Sequence, residues 1–111
     1  GNNHMHKWIA KDGYETKVLA DDNDLCSAGT EVQIVKFTKG KRQHHHNKKT
    51  EFFYILSGHG LLLIEGQSVV LTAGVSLTVP PGQSHSFVNE SEEPLVALQV
   101  KTNSSPSDTF D

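Results

Sequence analysis

The sequence predicts an all-β domain, a sandwich or a barrel. Short β-prone runs recur along its 111 residues, each closed by turn residues. No long helical period appears anywhere. The expected strands are Thr16–Leu19, Glu31–Thr38, Glu51–Ser57, Gly60–Ile64, Ser68–Leu71, Ser76–Val79, His85–Val88 and Leu95–Lys101. Between them stand Lys39-Gly40, Ser57-Gly58-His59-Gly60, Glu65-Gly66-Gln67, Ala73-Gly74 and Pro81-Gly82, where glycine or proline sets turn geometry. So many strands in so short a chain must close on themselves or pack face to face.

The remaining segments follow from composition. Gly1-Asn2-Asn3-His4 reads as an expression remnant before Met5, the natural start. The domain is then 5–101, and 102–111 is a polar tail, mobile or draped over the barrel through Phe110. Asp21-Asp22-Asn23-Asp24 is expected to be a solvated acidic turn, because it lacks the spaced ligands and closing glutamate of an EF-hand. One domain fits this length. A net charge of −3 gives no strong pull toward nucleic acid or anionic membrane. No apolar run approaches a membrane span of about 20 residues, and no secretory leader is visible. The single cysteine, Cys26, excludes a disulfide within the chain and makes a reducing cytoplasm the expected compartment.

Phe52-Phe53-Tyr54-Ile55-Leu56 and Leu61-Leu62-Leu63-Ile64 do not alternate. A strand with one wet face would show period two. Both strands are therefore expected to be covered on both faces. A second copy of the chain is the expected cover, giving a homodimer; the alternative is the N-terminal segment with Trp8 and Ile9.

Potential metal ligands concentrate at one place. His44, His45 and His46 stand in a row, Glu51 follows, and His85 lies beyond the turn at Val79-Pro80-Pro81-Gly82. In a strand, residues i and i+2 share a face. His44 and His46 can thus converge while His45 turns away. A bend through Asn47-Lys48-Lys49-Thr50 can return Glu51 to them, and His85 arrives from a distant strand. Three imidazoles and a carboxylate suit one divalent transition metal (Fe, Mn, Ni, Co, Zn or Cu) with positions left open. The competing reading is a solvated basic loop, given Lys41, Arg42, Lys48 and Lys49 nearby.

The same residues resemble a family. His44-x-His46, then Glu51, then Gly58 forms one motif; Gly74, Pro80-x-Gly82, His85 and Asn89 form the other. These are similar to the two conserved motifs of the cupin superfamily. Only the leading glycine departs from the pattern, since Gly40 lies closer to His44 than the family places it. The short stretch between Gly58 and Gly74 is like that of small single-domain cupins, including the mannose-6-phosphate-isomerase-like kind. The resemblance implies a double-stranded β-helix, or jelly-roll barrel, often dimeric, with the metal held by His44, His46, Glu51 and His85.

Parity extends the site. If Glu51 points inward, so do Phe53 and Ile55, and His85 brings Phe87. Arg42 either shares the pocket, where a guanidinium can hold a carboxylate or phosphate, or is a solvated loop residue. Gln33 and Gln99 either face a ligand or face solvent. No acid–base pair independent of the ligands is visible: Tyr54 has the wrong parity and His59 sits in a turn. The expected function is a metal-dependent enzyme on a small polar metabolite, of oxygenase, lyase or isomerase type. The alternative is a non-catalytic metal- or metabolite-binding protein acting as sensor or accessory.

Overall fold

A computed structural model describes the backbone of residues 5–46, 49–104 and 109–110, and the side chains of 5–40 and 49–104. Two antiparallel sheets form the fold. The larger has six strands in the order β1-β2-β3-β10-β5-β8, and the smaller has five in the order β11-β4-β9-β6-β7. The six are Trp8–Ala10 (β1), Tyr14–Ala20 (β2), Glu31–Phe37 (β3), Leu95–Thr102 (β10), Thr50–Ser57 (β5) and Ser76–Val79 (β8). The five are Thr109–Phe110 (β11), Gly40–His46 (β4), His85–Asn89 (β9), His59–Ile64 (β6) and Gln67–Thr72 (β7). Beside the local pairs β1-β2, β2-β3 and β6-β7, distant strands interleave: β10 lies between β3 and β5, and β9 between β4 and β6, as a jelly roll requires.

The inner rows of the larger sheet read across β3, β10 and β5. Glu31, Lys101 and Glu51 form the outermost row; Gln33, Gln99 and Phe53 the next; Val35, Ala97 and Ile55 the third. Polarity thus falls along the barrel axis. The deep end is dry: Ile55, Leu62, Leu71, Leu95 and Ala97 are almost wholly buried. This base excludes water and supplies most of the apolar burial. Phe87 sits between base and mouth, stacked on Phe37 with ring centroids 4.3 Å apart and edge-on to Phe53 at 4.8 Å.

Turn chemistry behaves as the sequence suggests. Gly58 holds φ +82°, and a Cβ there would meet the Pro94 carbonyl oxygen at 2.4 Å, so only glycine fits between β5 and β6. Asn89 closes the turn after β9. Its amide donates to the Glu93 carbonyl at 2.7 Å, and its oxygen accepts from the Ser91 N–H at 3.0 Å.

The structure refines four readings, and for the tail it agrees with one of the two alternatives. The acidic run is a single helical turn, Asp22–Leu25 (α1): Asp21 caps it, accepting from the Asp24 N–H, while the Asp24 carboxylate accepts from the Asp21 N–H. Residues 8–10 and 40–46 form strands that the turn signals alone did not delimit. Thr109–Phe110 pairs with β4 opposite His46 and His45, so this part of the tail lies along the barrel. The N-terminal segment is not the cover for β5. It pairs with β2 at the far edge of the sheet, and Trp8 there lies under the Lys36 ammonium, 4.2 Å from its ring centroid. Residues 1–4 lie outside the described residues, as do 105–108 in the tail.

Candidate metal and ligand site

The site lies on the inner faces, near the mouth. Glu51 begins the inward row of β5, and strand parity continues that row through Phe53. His85 opens β9, delivered by the turn at Pro81-Gly82, where Gly82 has φ +84°. The two meet across the barrel: His85 Nε2 is 3.3 Å from Glu51 Oε1, and His85 is only 2% exposed.

The other imidazole nitrogen fixes the chemistry of the first. His85 Nδ1 lies 3.2 Å from the Gln83 carbonyl oxygen, which can only accept. A proton on Nδ1 satisfies that carbonyl, and in this neutral tautomer Nε2 turns a lone pair toward a carboxylate oxygen. Two acceptors so close repel unless a cation stands with them, either a proton or a metal. Ligand atoms bound about 2.1 Å from one ion lie roughly 3 Å apart, so the spacing suits shared ligation. The Nδ1–H to carbonyl bond is also the usual way in which a metal-binding histidine is oriented.

The backbone register adds the remaining candidates. Residue 44 on β4 pairs directly with His85, and residue 42 pairs with Phe87. Positions 42, 44 and 46 therefore belong to one row of the pleat, and position 45 to the other. The side chains of Arg42, His44, His45 and His46 lie outside the described residues.

Glu51 is held from its other side by two amides. Gln99 Nε2 donates to Glu51 Oε2, and Gln33 Nε2 donates to Gln99 Oε1 at 2.6 Å. Both glutamines are buried, which resolves the two alternatives left by the sequence in favour of the inner face. They line a cavity of about 510 Å³ together with Glu51, Phe53, His85 and Phe87. Ile55, expected in the pocket, is a correction. It is fully buried and does not line the cavity, although Val35, in the same cross-strand row, does.

Sequence reasoning missed two contributors. Lys49, grouped with a solvated basic run, is only 6% exposed and lines the cavity. Its signal was its place two residues before Glu51, just ahead of β5. Tyr14 and Thr16 of β2 also line the cavity, brought there by the pairing of β2 with β3. At the mouth, Lys101 forms an ion pair with Glu31 at 3.1 Å.

A family model described as a cupin domain matches residues 32–101, which is most of the chain. This chain belongs to the cupin family. Among curated relatives, this cupin is 33% identical over 73 residues to the acireductone dioxygenase of Bacillus licheniformis, covering 61% of the chain and 41% of that protein. It thus spans well under two thirds of the length of the curated relatives first in similarity. Among solved structures, a predicted oxalate decarboxylase from Thermotoga maritima superposes with a TM-score of 0.75 at 24% identity, covering 90% of this chain and 93% of that one. A sugar phosphate isomerase of the cupin superfamily from Silicibacter pomeroyi superposes at 0.69 and 24% identity, covering 84% and 61%. At such identities the superpositions establish the jelly-roll fold alone. Among the described residues, no helix is long and apolar enough to cross a membrane.

Proposed function

We propose that this cupin binds one divalent transition metal through His44, His46, Glu51 and His85 and acts as a metal-dependent enzyme on a small polar metabolite. The observation that carries this is the buried His85 Nε2–Glu51 Oε1 pair, an imidazole nitrogen and a carboxylate oxygen 3.3 Å apart at the wall of a cavity. The pairing of residue 44 with His85 supports a second imidazole on that row. The metal would supply Lewis acidity to an oxygen of the ligand. The protein's own groups do the rest. Phe53 and Phe87 exclude water from one side, the two glutamines hold the carboxylate, and Lys49 brings an ammonium that suits an anionic or strongly polar ligand.

Of the expected classes, oxygenation fits best. Glu51 is tied to Gln99 and ill placed to swing away as a base. Tyr54 and His59 are exposed and do not line the cavity, which leaves Lys49 and Tyr14 as the titratable side chains beside Glu51 and His85 on its inner wall. The likeness to acireductone dioxygenase over part of its length supports the same class. The free, exposed Cys26 is compatible with the cytoplasm, the compartment we assign.

The test is elemental analysis of protein purified without chelators, followed by oxygen-consumption and isomerisation screens. About one metal per chain and oxygen uptake with a small polar substrate are the expected results. Metal far below one per chain, unchanged by added Fe(II), Mn(II) or Ni(II), overturns the reading. Metal without turnover replaces the enzyme by the non-catalytic binding protein.

We also propose a homodimer built on the outer face of the larger sheet. Phe52, Tyr54 and Leu56 point outward from β5 and are 37%, 40% and 42% exposed. The register extends them sideways into apolar rows, Phe52–Val100–Val32 and Tyr54–Leu98–Ile34. A two-fold axis through such a face buries the same patch on both copies. Light scattering at tens of micromolar is expected to give the dimer mass, and Tyr54→Glu is expected to halve it. A monomeric wild type counts against the interface.

A further inference from the structure

The two buried glutamines do more than line the cavity. Their donors and acceptors run in one direction. An ionised carboxylate only accepts, so Gln99 must turn its NH2 group to Glu51 Oε2. Its carbonyl oxygen then faces β3, where Gln33 supplies an NH2 at 2.6 Å. Register makes this possible: Gln33 and Gln99 are direct cross-strand partners, and Glu51 stands one row nearer the mouth. All three are at most 5% exposed. Burying primary amides is unfavourable unless they are hydrogen-bonded, and valine or leucine would fill the same rows at less cost. Amides bring something that apolar side chains cannot. They grip an anion without cancelling its charge, as lysine or arginine would.

We propose that Gln99, itself locked by Gln33, is a positioning residue that fixes Glu51 as a one-oxygen metal ligand. It occupies Oε2 and leaves Oε1 facing His85 Nε2. With Oε2 holding the Gln99 amide proton, Oε1 is the oxygen better placed to bind an ion, which would leave a coordination position for an incoming ligand. This inference rests on the metal reading above and adds to it a role for residues that do not touch the ion.

The test uses Co(II) as a coloured probe, titrated into the metal-free full chain. Wild type is compared with Gln99→Leu, the near-isosteric Gln99→Glu, Gln33→Leu and the double Leu variant. Removal of such an outer partner is expected to weaken Co(II) binding by about 10–100-fold. Gln99→Leu and Gln99→Glu should do so and shift the visible absorption of bound Co(II). Gln33→Leu should have a smaller effect in the same direction. The double variant should be no worse than Gln99→Leu alone, because both act through one carboxylate. Wild-type affinity and spectrum in the Gln99 variants, with only a lower melting temperature, would reduce the amide chain to core structure and overturn the proposal. A wild type that takes up no Co(II), Mn(II) or Fe(II) instead overturns the metal reading itself, and the two failures are told apart by the first titration.

Discussion

His85→Ala is expected to strip this cupin of metal while leaving the barrel folded. The imidazole nitrogen lies 3.3 Å from Glu51 Oε1, and position 44 gains its place in the site by pairing with His85. Removing the ring leaves Glu51 on its Gln99 hydrogen bond, with no nitrogen opposite. Metal content should fall from about one per chain to near zero, read by elemental analysis. Circular dichroism should stay unchanged, because the apolar base below is untouched. His45→Ala is the control. Its position lies off the row that pairs with His85, so uptake should persist. Metal lost on His45→Ala and kept on His85→Ala would show the register argument to be wrong.

Phe87→Ala should be the most damaging single change to the fold. The ring is 3% exposed, stacks on Phe37 at 4.3 Å, meets Phe53 edge-on at 4.8 Å and stands edge-on to the His85 ring at 6.1 Å. Truncating a buried phenylalanine costs about 3–5 kcal/mol, part of it for the void left behind. For a domain of this size that lowers the melting temperature on the order of 10–20 °C. The void opens beside His85, so the imidazole also loses a wall and metal binding should weaken together with stability. Phe87→Leu keeps more of the volume and should fall between. A urea-derived loss below about 1 kcal/mol for the alanine variant would mean that the three rings do not act as a packed unit.

Local sequence rules carried much of the architecture, and the residues they misjudged share a cause. Ser76–Val79 is a strand with the bounds that its flanking turns imply, and β3, β5 and β9 differ from expectation by a residue at one end. Strand parity named the right face for Phe53, Phe87 and Ile55. It does not say which inward side chains meet the cavity, and so Ile55 was assigned to the pocket although its neighbours cover it completely. Gln33 and Gln99 stayed ambiguous because β3 and β10 carry apolar side chains on both faces, so alternation could not tell inside from outside. Only the register across 66 residues of sequence brings the two amides together. Lys49 was read by its charged neighbours, whereas its direction is set by Glu51 two residues on. The outer side chains of β5, expected to be covered, are open in the single chain because β1 pairs elsewhere. The helical turn α1 is too short to show a period, though its cap, Asp21 with Asp24, was present in the letters.

Charged side chains at Lys49, Lys101 and Glu31 line the cavity together with the apolar Phe53, Phe87 and Val35. A ligand with one charged or polar end and one apolar end would match both parts of that wall at once, and a wholly apolar molecule would leave the charged part without a counterpart.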